Sequence, residues 1–147
     1  MENVPLEENE QQRQRLAALV DRLSDDDLTR DTEAGWTVAM HLAYLAFWDR
    51  WAEHLIRRWR GGELPPPTVP AWYDDAMNAT LVDQWRALPP RAAATLAVAA
   101  ADAVDQEIAR TETPVLIAMI AAHEGHLIHR HHFRATCLDR LEAALSG

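Results

Sequence analysis

Trp36-Thr37-Val38-Ala39-Met40-His41-Leu42-Ala43-Tyr44-Leu45 opens a helical pattern that runs without a breaker to about residue 60. At helical spacing Val38, His41, Leu45, Trp48, Ala52, Leu55, Ile56 and Trp59 share one face. Asp49, Arg50, Glu53, Arg57 and Arg58 fall largely on the other. Thr37 is suited to cap the first turn, and Gly61-Gly62 stops the last.

The same reading extends in both directions. Before this helix, residues 5–23 repeat Leu16, Leu19, Val20 and Leu23 at helical spacing. Ser24-Asp25-Asp26-Asp27 breaks that pattern, because these side chains compete for backbone hydrogen bonds. Residues 28–35 form a charged connection ending in glycine. After the helix, residues 63–70 hold four prolines, including Pro65-Pro66-Pro67, and read as a crossover loop. Residues 73–88 are a third helix carrying Ala76, Met77, Thr80, Leu81 and Trp85. Pro89-Pro90 ends it or starts the alanine-rich helix of residues 91–111. Glu112-Thr113-Pro114 marks the next start, with Thr113 as the expected N-cap. From there to about residue 145 only Gly125 interrupts, so one helix of roughly thirty residues is expected, or two joined by a kink. No segment alternates as a strand does. The expectation is an all-α bundle in one domain, residues 1–147, with up to five helical segments.

Composition narrows the function classes. Hydrophobic residues make up 48% of the chain, enough for a sizeable core in 147 residues. A formal net charge of −9 argues against nucleic acid and against an anionic membrane surface as partners. No apolar run approaches the ~18 residues of a membrane span, and the acidic N-terminus lacks a signal-peptide core. Cys137 is the single cysteine and has no internal partner, which suits a cytoplasmic location. Six tryptophans against two phenylalanines and two tyrosines suggest that some indoles line a cavity or an interface, although gap-filling between helices accounts for them equally well.

Five of the seven histidines fall between His123 and His132. If the last helix is continuous, its core face runs through Leu116, Met119, Ile120, His123, Leu127, Arg130, Arg134, Cys137, Leu138, Leu141 and Leu145. His123 then points inward and His126 flanks it. His129, His131 and His132 turn away to a solvated or subunit-contacting surface, and His54 lies on the surface. His41 sits at the centre of the face of the earlier helix. Two facing imidazoles with a third ligand one turn along would make an open site for Zn, Ni or Fe. A histidine on an apolar face is also often a hydrogen-bonded core residue, and that reading stays open. Arg130 and Arg134 share the face of His123. They either grip an anionic ligand or pair with acids such as Asp49 or Glu53.

At these residues the chain resembles the DinB-like superfamily, which includes the N-terminal domain of mycothiol-dependent maleylpyruvate isomerase. Residues 35–45 resemble the family's W-[ST]-x-x-x-H-L-x-H-L segment, and Trp48-Asp49-Arg50 continues it. Asp75-Ala76-Met77-Asn78 with Trp85-Arg86 resembles its third helix, and His123-Glu124-Gly125-His126 its last-helix H-E-x-H. The resemblance implies an up-down-down-up four-helix bundle. It also implies a divalent metal held by one histidine of the second helix and two residues of the last, usually H-x-x-x-H. Several members look like thiol-dependent transferases or isomerases. This chain departs from the pattern at Leu127, which stands four residues after His123. His126 could substitute, since positions three apart are also neighbours on a helix.

Two expectations follow. In the first, a metal held by His41, His123 and His126 activates a thiol or water for transfer or isomerisation of a small molecule. Trp48 and Arg130 then contact the substrate, and a low-molecular-weight thiol is a co-substrate. In the second, a metal-free, non-catalytic bundle binds a small ligand or a protein partner. A homodimer is expected in either case.

Overall fold

A computed structural model describes residues 4–63 and 70–147 of the chain. The proline triplet expected to form the crossover lies outside the described residues. The described ones form seven α-helices and one 3-10 turn, with no strand: α1 (Leu6–Arg22), α2 (Asp25–Leu28), α3 (Val38–Arg60), α4 (Trp72–Ala87), α5 (Pro90–Ala109), α6 (Thr113–Ala121), the turn Gly125–Leu127, and α7 (Arg130–Leu145).

Local chemistry sets most of these ends. Ser24 begins α2 with a reciprocal capping box: its hydroxyl accepts from Asp27 N–H, and the Asp27 carboxylate accepts from Ser24 N–H. The expected break is therefore also a new one-turn start. Thr37 caps α3 by accepting from Met40 N–H at 3.2 Å. At the other end of α3, Gly62 takes φ 89°, Gly62 N–H donates to Trp59 O and Glu63 N–H to Arg58 O, both at 3.0 Å. That left-handed C-terminal motif favours glycine, which has no Cβ to clash. Pro90 opens α5. Glu112, rather than the expected Thr113, is the N-cap of α6, and Thr113 is already helical.

Pair contacts fix the topology. Arg15 of α1 reaches Asp139 and Glu142 of α7, while Asn9 meets Ile128 and His131, so α1 and α7 run parallel. Arg13 pairs with Asp102 and Arg91 donates to Leu23 O, so α1 and α5 are antiparallel. Asp49 meets Arg130 while Cys137 approaches His41 O, so α3 and α7 are antiparallel. One core cluster holds Ala39, Ala43, Ala93 and Ala97, and a second holds Ala52, Ile56, Val104 and Ile108, so α3 and α5 run parallel. The result is an up-down-down-up bundle of α1, α3, α5 and α7. The parallel pair α3/α5 requires a long connection, which contains α4. Only Trp85 of α4 is buried, so this helix lies on the bundle rather than in it. The alanines of α5, five of them buried, let α3 approach closely.

A polar layer separates the two core clusters. Arg134 is fully buried, and its guanidinium meets Asp105 at 2.8 and 3.0 Å, Asp49 at 3.4 Å, Asn9 O at 3.0 Å and Ala101 O at 3.4 Å. Arg130 donates from Nε to Asp49 Oδ1 at 2.8 Å. Arg13 adds an ion pair to Asp105 at 3.2 Å. All four long helices contribute. This corrects the expected faces of α3: Asp49 and Glu53 are buried, 1% and 4% exposed, not outward. Asp49 is drawn in by two arginines, and Glu53 by Arg50 and Arg57 at 3.2 and 2.7 Å. A buried charge is tolerated only when paired in this way.

Arg134→Met should therefore lower the unfolding free energy by about 3–5 kcal/mol, because Asp49 and Asp105 lose a buried counter-ion. Arg86→Met, which breaks an exposed pair with Asp83, should leave it nearly unchanged. Urea denaturation midpoints of the two variants give the comparison.

Candidate functional site

Of the two forms expected for the last segment, one long helix or two joined near Gly125, the structure takes the second, with a full break in place of a kink. α6 ends in a left-handed cap at His123, with φ 65°. His123 N–H donates to Ile120 O at 3.1 Å and Glu124 N–H to Met119 O at 2.9 Å. This is the Schellman arrangement, with histidine where glycine is usual. The chain then makes the Gly125–Leu127 turn and restarts at Arg130. The wheel drawn through His123 therefore has no continuous helix to apply to. His123 is exposed, not inward, and so is His126. Leu127, Arg130, Arg134, Cys137, Leu138 and Leu141 keep the burial expected of them.

The break opens a cavity of about 630 Å³ between α3, α4, the turn and α7. Tyr44 and Trp48 come from α3, Asn78 from α4, and His126, His129 and Arg130 from the turn and α7. Trp48 Nε1–H donates to Asn78 Oδ1 at 2.8 Å, which pins α4 against α3. Both residues expected to contact a substrate, Trp48 and Arg130, thus border the same cavity. Arg130 is held on three sides: Nε on Asp49 Oδ1, Nη1 on His126 O at 3.1 Å, and its guanidinium carbon 4.7 Å from the centre of the Phe133 ring. Its Nη2 is buried and has no acceptor in the protein.

A second cavity, about 650 Å³, surrounds His41 and shares Tyr44 and Asn78 with the first. His41 is half-buried, and its Nε2 lies 2.8 Å from Thr32 Oγ1. That hydroxyl is also 2.8 Å from Trp36 O. A hydroxyl has one proton to give, so it donates to the carbonyl and accepts from His41 Nε2–H. Burial, and then the charge of Arg140, hold the His41 pKa below its ordinary value, against a smaller opposite pull from Glu33. Cys137, beneath His41, donates weakly to His41 O at 3.9 Å. Burial pushes its thiol up to about 12, so the chain supplies no thiolate nucleophile there.

His41, His123 and His126 do not assemble. His41 lines one cavity, His126 the other, and His123 neither. Among the described residues no three His, Cys, Asp or Glu side chains are grouped to hold a metal ion. The position four residues after His123 is Leu127, packed in the core with Ile56 and Met119. These donors do not fit the metal expected from the resemblance, because the backbone break moves the last-helix donors away from α3.

Residues that sequence reasoning assigned elsewhere join the site instead. His129 and His132, expected on an outer surface, line the first cavity with Phe133. The rings of His129, His131 and His132 gather, with centroids 4.0–6.3 Å apart. Within the group His131 is also tied to Asn9 Oδ1, through its backbone N–H at 2.8 Å and its Nδ1 at 3.1 Å. Tyr44 and Asn78 carried no signal of their own, although Tyr44 stands one turn before Trp48. Of the six indoles, Trp36 and Trp48 line cavities, Trp85 is buried, Trp59 packs half-buried against the second core cluster, and Trp51 and Trp72 are exposed.

Two outcomes follow from this geometry. His123→Gly should stabilise the fold by about 1 kcal/mol, since the left-handed conformation strains a residue with a Cβ; thermal melts read it, and a loss of stability would contradict the cap. His41 should titrate below the usual histidine midpoint in a proton NMR series. A histidine with a depressed folded pKa contributes stability above its unfolded pKa, and that contribution is lost as pH falls through the folded value. His41→Gln should accordingly flatten the decline in stability from pH ~7 towards ~5.

No described helix is long and apolar enough to cross a membrane. Compared with curated proteins and with solved structures, the chain has no match. Its sequence does match the family model described as DinB superfamily over residues 8–132, from the first turn of α1 to the start of α7. With an all-helical bundle and that match over most of its length, the chain belongs to the DinB superfamily.

Proposed function

We propose that this DinB-superfamily protein binds a small anionic molecule with an apolar or aromatic body in the cavity between α3, α4 and α7. The observation that carries the reading is the Arg130 guanidinium. Two of its nitrogens are committed to Asp49 and His126 O, while Nη2 is buried without an acceptor. An unmet buried N–H costs about 1–3 kcal/mol, so an acceptor supplied by a ligand has that much to recover. A carboxylate fits, because a guanidinium presents its donors in a planar fork. Trp48, Tyr44 and Phe133 supply aromatic wall for the ligand body. Asp74 is the one acid among the lining residues, and the three imidazoles beside Arg130 add ring N–H donors from which an anion can accept.

The reading is a binding role. Transfer or isomerisation through a thiol on a metal held by His41, His123 and His126 has no support from where those side chains lie.

Phenylacetate and its neutral isostere phenylacetamide serve as probes, followed through Trp48 fluorescence or calorimetry. The carboxylate should bind at least about tenfold more tightly than the amide, and Arg130→Gln should remove that difference while leaving amide binding unchanged. Trp48→Ala should weaken both. Equal binding of the two probes, or an unchanged preference in Arg130→Gln, would sink the reading. Asp49 keeps Arg134 as a partner in that variant, so the fold should persist, as circular dichroism can establish.

A further inference from the structure

The cavity around His41 carries a charge pattern of a different kind. Glu33, from the turn before α3, and Arg140, from α7, both border it. Among the described residues neither makes an ion pair, and they do not reach each other. Asp139, which also borders the cavity, is already taken by Arg15 at 2.7 Å. A free carboxylate and a free guanidinium thus stand apart on the rim of one 650 Å³ space. Both act on His41 between them, Glu33 favouring its charged form and Arg140 opposing it.

The turn that presents Glu33 is built rather than slack. Ala34 and Gly35 are both left-handed, with φ 55° and 79°. Thr32 N–H donates to Trp36 O at 2.7 Å and Trp36 N–H to Glu33 O at 3.0 Å. Thr32 is held a second time by His41. Aromatic rings line the same cavity: Trp36 lies 5.0 Å from the His41 ring and 5.8 Å from Tyr44, centre to centre.

We infer that this second cavity takes the zwitterionic head of a free amino acid, its carboxylate on Arg140, its ammonium on Glu33, and its side chain against Trp36 and Tyr44. A single anion would be repelled by Glu33 and a single cation by Arg140, whereas a group carrying both charges matches both. Neither Arg130 nor the first cavity is needed for this site.

The test uses the full chain with L-phenylalanine, N-acetyl-L-phenylalanine and L-phenylalaninamide, followed by calorimetry. The free amino acid should bind at least about tenfold more tightly than either blocked form, since each block removes one charge. Glu33→Gln should abolish the advantage over the N-acetyl form, and Arg140→Gln the advantage over the amide. Both positions are exposed, so the variants should fold as the parent does. In Arg130→Gln protein, where carboxylates lose their hold on the first cavity, the free amino acid should keep its advantage over both blocked forms; loss of that advantage there would assign the ligand to the first cavity and overturn the inference. Equal affinity for the three compounds would also overturn it, as would absence of binding by the free amino acid at roughly 10 mM.

Discussion

The Arg134 guanidinium, fully buried and held by Asp49, Asp105, Asn9 O and Ala101 O, is the interaction on which the bundle depends. Those partners come from α3, α5 and α1, so one side chain of α7 touches each of the other three helices of the bundle. A buried cation allows few alternatives, because each missed partner leaves a charge desolvated. Hydrophobic contacts above and below the layer are less demanding, since apolar groups of similar size can exchange places. The layer thus ties all four bundle helices to one level of the core. Its net worth in stability is modest beside an apolar alternative, and its consequence is geometric.

One consequence reaches the first cavity. Asp49 accepts from both Arg134 and Arg130, so the carboxylate that closes the layer also orients the arginine at the cavity wall. Phe133 and His126 O complete the clamp. The break between α6 and α7 supplies the space. Had residues 113–145 stayed one helix, His126 and His129 would have remained on a rod, and Ile120 and Gly125 would not border the cavity. The left-handed residue at the break is a histidine, which needs no ligand to explain it, since histidine visits this region more readily than most residues. The break thus places His126 and His129 beside an oriented arginine at one cavity.

Much of the fold was legible because helix ends are local events. Thr37, the glycine pair after residue 60, Pro90 and Ser24 each act on backbone groups within four residues, so their chemistry is readable in order along the chain. Trp48 and Arg130 were legible as residues facing the interior of the bundle, and both border the first cavity. The imidazole site was not. Its reading assumed a helix through residues 122–129, and the only sequence signal against it was Gly125 beside a polar run. An error of one turn there moves every histidine after it to a different face.

What the sequence determined by itself is the all-helical class, the long helices α1, α3, α4 and α5 with several of their ends, and the apolar stripes that bring the bundle together, because these follow from periodicity and from neighbours a few residues away. Tertiary structure alone decided which polar residues go inside and which histidines share a cavity. Asp49 looks like a solvent residue until Arg134, 85 positions later, arrives beside it. Its burial is favourable only with that partner present, and no local pattern records a partner so distant. The same holds for Glu33 and Arg140, which are unremarkable surface charges in the sequence and face one space only after α7 has packed against α3.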